Sequence, residues 1–405
     1  MERMSVKQAA QKWGVSTRRV QDLCKRGLIP GAQLWERTWM LPSDARYPSK
    51  GDGLPTQPMP RKSPFLTMTN LYHTPGTLDA AAETLADNPE AQALLEAQAA
   101  YSRGDIDAVY DKAQYFLAAH SGFYAIIAGG MLLALCAMWR GDLELWKKAK
   151  MHICQAPCKN DVDRSILGLS LAATDLAIRD MVDFPEWFKK GQIANLPADS
   201  FPAAKVYYAK FLIIYVQELA MNKYDRAGMT GLALMKVLPN TIEPFIAQAM
   251  VDKTVMAELY LRLLCAVACQ NGGDSQRAVY HIDKAIALAL PDRLLGPLAE
   301  HRRQLGYLLD DRLALADPEA LQELKRLHKQ LHQGWTKLHN SALARTVSAA
   351  LSVREREVAQ LAAFGCSDGE IAARLGLSRS TVKSLISMAK NKTGASKRSE
   401  LVTYI

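Results

Sequence analysis

The sequence of 405 residues predicts a mainly α-helical protein, with a small unit at each end and a large helical body between them. Three observations predict it. Apolar residues make up 49% of the chain but aromatics only 7%, a balance that favours helices packed through alanine and leucine. Gly-Asp turn signals recur between apolar runs through the middle of the chain. A proline-rich stretch sets the first fifty residues apart from the rest.

The charge is divided unevenly. Residues 1–50 hold ten Lys/Arg against four Asp/Glu, and residues 351–405 hold nine against five. The whole chain is +9, so the two ends (+6 and +4) leave the middle near −1. Basic ends on a neutral body suit a polyanionic partner. The seven cysteines are scattered and odd in number, as expected of reduced thiols. No basic start with an apolar core and small-residue cleavage site is present, so a cytoplasmic location is expected.

Pro48, Pro55, Pro58, Pro60 and Pro64, with Gly51, Gly53 and Ser63, cannot form a helix and predict a linker over 48–70. From about residue 71 to 340 helix follows helix. Arg103-Gly104-Asp105, Arg140-Gly141-Asp142 and Asn271-Gly272-Gly273-Asp274 each close one apolar run and open another. Glycine supplies a left-handed cap and aspartate the next N-cap, so each unit reads as a helical hairpin. The first two turns lie 37 residues apart. Hairpins at that period resemble tetratricopeptide-type solenoids in a degenerate copy, which implies a concave groove for a small effector, a peptide or a protein. Tyr207, Tyr208, Phe211 and Tyr215 are candidates to line it, with helix core as the better account of their spacing.

Two stretches in the body carry alternatives. Residues 113–139 hold no charged side chain and are long enough to span a membrane. His120-Ser121-Gly122 interrupts the run and Gly129-Gly130 weakens its centre, so two buried helices are the better expectation. After Asp317-Pro318-Glu319, the residues Leu321, Leu324, His328, Leu331, Trp335 and Leu338 repeat at coiled-coil spacing. They fit equally a last helix covering its own neighbour, and Gly334 argues against regular pairing.

At the C-terminus Ile371, Ala372, Leu375, Gly376, Leu377, Val382 and Leu385 fill the structural places of a helix-turn-helix, with Ser378 as N-cap of its second helix. The wider pattern carries more: Leu351-Ser352-Val353-Arg354-Glu355-Arg356-Glu357-Val358, Glu370-Ile371-Ala372, Leu375-Gly376-Leu377-Ser378, Thr381-Val382-Lys383 and Lys397-Arg398-Ser399-Glu400-Leu401. Residues 341–405 resemble the LuxR-type DNA-binding domain. The resemblance implies a four-helix domain that binds double-stranded DNA as a homodimer on paired half-sites. It places Thr381, Val382 and Lys383 at the recognition core and Lys390 and Lys392 near phosphates. Arg379, Ser380, Ser384 and Ser387 face outward beside them, able to reach phosphates or base edges. Leu385, Met388 and Thr393 depart from the family pattern, which leaves base preference and dimer contacts open.

Shifting this template by 362 residues lays it on Ala9, Ala10, Trp13, Gly14, Val15, Ser16, Val20 and Leu23. The outward set becomes Thr17, Arg18, Arg19, Gln21, Asp22 and Lys25. Gly27 ends the helix, and two short strands follow around Glu36-Arg37. Residues 1–47 resemble the winged helix-turn-helix of excisionase and MerR-type proteins. The resemblance implies DNA contacts from Ser16, Thr17, Arg18, Arg19, Gln21 and Lys25, with a wing that places Arg37 on the backbone or minor groove. Asp22 sits poorly on such a face, and small helix-turn-helix units also dock proteins.

Catalytic and cofactor signals are weak. There is no phosphate-binding Gly-rich loop, and no histidine and carboxylate pairing suggests catalysis, so neither an enzyme nor a cofactor is expected. Cys154 and Cys158 near His152, and Cys265 with Cys269, each make half a metal site at most, and core packing explains the second pair better. The sequence therefore predicts a one-component transcriptional regulator with a sensing or docking body and terminal DNA-reading units. The alternatives are an adaptor whose N-terminal unit docks protein, and a membrane-tethered sensor using residues 113–139.

Overall fold

The computed structural model describes residues 3–25, 29, 32–35, 38–43, 45, 71–119, 122–193, 196–221, 229–344, 351, 353–393 and 395–404. It divides into two compact units, Met1–Pro60 and Arg61–Ile405.

In the first unit strand β1 (Arg3–Ser5) leads directly into α1 (Val6–Trp13), and α2 (Thr17–Lys25) follows after a tight turn. Strands β2 (Gln33–Trp35) and β3 (Thr38–Pro42) complete an antiparallel sheet of order β1-β3-β2, in which Met4 faces Leu41 and Leu34 faces Trp39. The strand β1 was not anticipated from the sequence. Three residues are too short for a periodic signal, and this strand is held by its register with β3. Ser5 closes it and starts α1 through a capping box with Gln8. Val6, Ala9, Ala10, Val20, Leu23 and Leu41 make the core.

The second unit begins as stacked hairpins. Its first helices are α3 (Leu78–Glu83), α4 (Pro89–Arg103), α5 (Ile106–Ala119), α6 (Phe123–Arg140), α7 (Leu143–Cys154), α8 (Asp161–Ala177) and the short α9 (Glu186–Lys189). Then come α10 (Phe201–Met221), α11 (Met229–Val251), α12 (Val255–Gly272), α13 (Ser275–Ala289), α14 (Leu295–Leu305), α15 (Tyr307–Ala316) and α16 (Pro318–Leu343). The turn chemistry is visible at each joint. Gly104, Gly141 and Gly273 sit at φ of 80°, 63° and 87°, and Asp105, Asp142 and Asp274 accept from the third amide of the next helix.

Sequence neighbours pack in pairs, but two late helices return to the start. Helix α14 lies on α4 and α16 lies on α6. Each return uses a glycine with no room for a side chain. A Cβ at Gly296 would stand 2.7 Å from the Tyr101 carbonyl, and one at Gly334 would overlap the Trp139 carbonyl. Gly334 is thus a close-approach site and not an interruption. Leu321, Leu324, His328, Leu331 and Leu338 are buried against the chain's own body, so the heptad-like spacing is that of a covering helix. The segment before α3 is tied down as well: Asp292 accepts from the Tyr72 hydroxyl and from the amides of Gly76 (2.5 Å) and Leu78 (3.1 Å).

Helix α6 is the one helix among the described residues long and apolar enough to cross a membrane, and 78% of that stretch is buried inside the protein. Its companion α5 ends at Ala119, while residues 120–121 lie outside the described ones. The aromatic run on α10 joins a packed cluster: Phe211 stacks with Tyr208 and Tyr215, and Phe184 and Phe188 meet its edge.

We expect Gly334→Ala to destabilise the body by about 1–3 kcal/mol, the usual magnitude of overpacking; denaturant unfolding of the full chain measures it. Burial pushes His328 down to about 4 and His332 to about 2. Both imidazoles titrate near 6.5 once unfolded. Their contribution is complete above that pH and falls away as pH drops through it, because the unfolded state takes up the protons first. Urea melts at pH 7.5 and 5 should show this loss, and a His328→Asn, His332→Gln chain should show less of it.

Candidate nucleic-acid interface

The last part of the second unit comprises α17 (Val353–Ala363), α18 (Asp368–Leu375), α19 (Arg379–Thr393) and a 3-10 turn over Arg398–Tyr404. Val358, Leu361, Ile371, Ala372, Val382, Ile386 and Leu401 form their common core, and Leu385 packs against it. Ser367 starts α18 with a capping box through Glu370. Arg398 ties the C-terminal turn to the head of α18, donating to Asp368 Oδ1 (2.5 Å) and to the Cys366 carbonyl.

The turn between α18 and α19 is built from three local bonds. Gly376 takes φ 62°, the Leu377 amide donates to the Ala372 carbonyl (2.9 Å), and Ser378 Oγ accepts from the Thr381 amide (3.0 Å). The turn between α1 and α2 repeats them. Gly14 takes φ 66°, the Val15 amide donates to the Ala10 carbonyl (3.1 Å), and Ser16 Oγ accepts from the Arg19 amide (3.2 Å). The shift of 362 residues carries one set onto the other.

On α19, Arg379, Ser380, Thr381, Lys383, Ser384 and Ser387 are exposed, a continuous polar and basic face around the helix start. Val382, grouped with them in the sequence, is fully buried in the domain core and cannot present its side chain to a ligand. Lys390 is half-buried, while Lys392 is bonded to the buried carboxylate of Glu355 at 2.8 Å. Of the departures noted in the sequence, Leu385 is absorbed by the core, Met388 is 41% exposed, and the Thr393 hydroxyl donates to the Ala389 carbonyl. Ser16, in the turn before α2, and Thr17, Arg18, Arg19 and Gln21 on the helix are likewise exposed. The side chain of Lys25 and all of Arg37 lie outside the described residues, as does the side chain of Asp22.

Residues 349–405 match the family model described as bacterial regulatory proteins, luxR family. The C-terminal segment is a LuxR-family DNA-binding domain. No curated protein and no solved structure matches the chain. The LuxR-type domain contacts the helical body through α17 and α18. Glu357 of α17 reaches the junction of α14 and α15, where its Oε1 accepts from the Tyr307 amide at 2.9 Å. That places a carboxylate on a helix N-terminus. It fits there only because Gly306, at φ 58° and ψ −136°, has no side chain; a Cβ would overlap the Glu357 carboxyl. Burial raises the Glu357 carboxyl above its usual range, and Arg354, 2.9 Å away and 5.1 Å over the Tyr307 ring, works against that shift. Nearby, Arg374 of α18 donates to the Asn271 carbonyl across Gly273 (3.4 Å).

One cluster of metal-ligating types was only half visible in the sequence. Cys265 and Cys269 of α12 are buried, and His281 of α13 brings its ring to them, so that all three ligand atoms lie within 4.8 Å. These could hold an ion of the zinc class. The same atoms also partner one another: His281 Nε2 is 3.4 Å from Cys265 Sγ and 3.3 Å from Glu243 Oε1, and Arg277 pairs with Glu243. Cys154 is exposed and Cys158 half-buried.

Lys383→Ala should weaken DNA binding by about 1–2 kcal/mol with the melting temperature unchanged. Val382→Ala should instead destabilise the domain by about 1–3 kcal/mol. Fluorescence anisotropy on DNA, read beside thermal unfolding, separates the two.

Proposed function

We propose that the chain is a one-component transcriptional regulator. Its LuxR-type domain binds promoter DNA through the exposed face of α19, as a homodimer on paired half-sites, and its helical body receives an effector or protein signal. The match of residues 349–405 to the LuxR family carries this reading. The free basic face at the start of α19 supports it, since backbone amides and Arg379 and Lys383 meet there. Helix α6 acts in this reading as a core helix of a cytoplasmic protein.

The domain plan we propose is a winged helix-turn-helix over 1–47, a linker over 48–70, a degenerate tetratricopeptide-like body over 71–340 and the LuxR-type domain over 341–405. The repeated turn supports a second DNA-reading unit at the N-terminus, with Ser16, Thr17, Arg18, Arg19 and Gln21 on its outer face. Two readers on one chain would bind composite sites with avidity. Selection of genomic DNA fragments by the full chain tests both units. Salt-sensitive binding that falls with Arg379→Ala is expected, and a narrower, weaker set of sites with Arg18→Ala, Arg19→Ala. Unchanged sites in the second variant would return the N-terminal unit to protein docking.

A further inference from the structure

Between α8, α10, α14 and α16 lies a partly open cavity of about 100 Å³ lined by more cations than carboxylates. Arg179, Lys210 and Arg303 line it, and Glu300 is the one carboxylate among its lining residues. Glu300 Oε1 already accepts from the hydroxyls of Tyr101 (2.8 Å) and Tyr260 (2.7 Å). Arg179 donates to Gln217 Oε1 (2.7 Å). The Arg303 guanidinium lies 4.4 Å over the Trp335 ring, and its Nη2 is buried without a hydrogen-bond partner among the described residues. His332 Nε2, on the same wall, is also buried and unpartnered, while the Thr336 hydroxyl lies 3.5 Å from its Nδ1. Burial pushes Lys210 and Arg303 below their ordinary ranges, Arg303 strongly.

Buried cations without counter-charges destabilise a fold, and buried donors without acceptors add to that. Trp335 holds the arrangement rigid, its Nε1 donating to the Ala177 carbonyl (2.8 Å) and its ring stacked on His339. A second cavity of about 60 Å³ shares Lys210 and Glu300 with the first. Its further lining is mostly apolar, with Met131, Leu135, Trp146 and Val206. The two cavities are neighbours across that shared wall, the first carrying most of the cations and the second mostly apolar. At about 10–15 Å³ per water-sized site, the first cavity alone has room for about eight non-hydrogen atoms.

We propose that this cavity is the effector site and that it takes a small organic carboxylate with an apolar body. The carboxylate meets Arg303, His332 and Lys210, and the apolar part extends toward Met131 and Trp146. The inference rests on the regulatory reading above and names the chemistry of its signal. The site adjoins the seat of the LuxR-type domain: Gln304 lines the cavity and Gly306, two residues on, receives Glu357. Arg303 stands three residues before Gly306, the seat of Glu357, and its charge is repelled by Arg356 of α17.

The test uses the full chain and a panel of aliphatic and aromatic carboxylates of two to ten carbons, each beside its neutral amide, with inorganic phosphate as a further probe. Thermal shift and calorimetry read binding, and DNA affinity is measured on the same samples. The expected result is saturable stabilisation by one or more carboxylates and none by the matching amides. Arg303→Met should raise the melting temperature of the unliganded chain, because it removes an unpaired buried cation, and weaken carboxylate binding at least ten-fold. Lys210→Met should also weaken it. A merely structural Arg303 would give a lower melting temperature and unchanged binding, which overturns the proposal. So does an unresponsive panel, equal binding of the amides, or binding of phosphate alone. Absence of DNA binding with and without carboxylate strikes at the regulatory reading; absent carboxylate binding with DNA binding intact strikes only at this inference.

Discussion

The second unit depends on a bare backbone at Gly334. Helix α16 can lie against α6 only because nothing projects from that position toward the Trp139 carbonyl. The contact turns a run of hairpins, each joined to the next, into a closed body. It also carries His328, His332 and Trp335 across the floor formed by α14, where Arg303 and Glu300 stand. Without it the same helices would form an open stack, and the residues of the cavity would not meet. Gly296 plays the same part for α14 on α4.

Closure has an electrostatic consequence. Arg179, Lys210 and Arg303 come to line one cavity together with Glu300. Arg302 is matched by Asp310 in a buried pair at 2.6 Å, whereas its neighbour Arg303 has an aromatic face instead of a carboxylate. Pairing and stacking are different solutions to one problem, and only the second leaves donors for something else. The next turn of the chain, at Gly306, receives Glu357 from α17. The helical body and the DNA-binding domain therefore meet over a short stretch of backbone at Gly306 and Tyr307.

How much of this was legible in the sequence varies with range. Local chemistry was readable. The Gly-Asp joints, the Ser378 cap and the repeated turn at Ser16 follow from residues a few places apart, and they stand in the structure as bonds. The spacing of Leu321 to Leu338 gave the buried face of α16 but not its partner, since a heptad pattern is the same whether the covered surface belongs to another chain or to α6. Gly334 read as a weakness because its neighbour 195 residues earlier could not be seen. At the interface, Val382 belonged to two patterns at once, recognition triplet and core position, and burial decides for the core. Glu357 lies 50 residues from Tyr307, and no pattern links them. His281 was likewise hidden, a lone histidine on the helix after the two cysteines.

In the function proposed above, α19 is the element that enters DNA. Site-directed cross-linking of the full chain measures this most directly. A thiol at Ser384→Cys on the exposed face of α19 is compared with one at Ala373→Cys on the exposed side of α18. Each is presented to operator DNA selected by the unmodified chain and carrying a thiol-reactive tether on a base in the major groove. Efficient capture is expected from position 384 and little from position 373. Equal capture from both, or capture from position 373 alone, would contradict it.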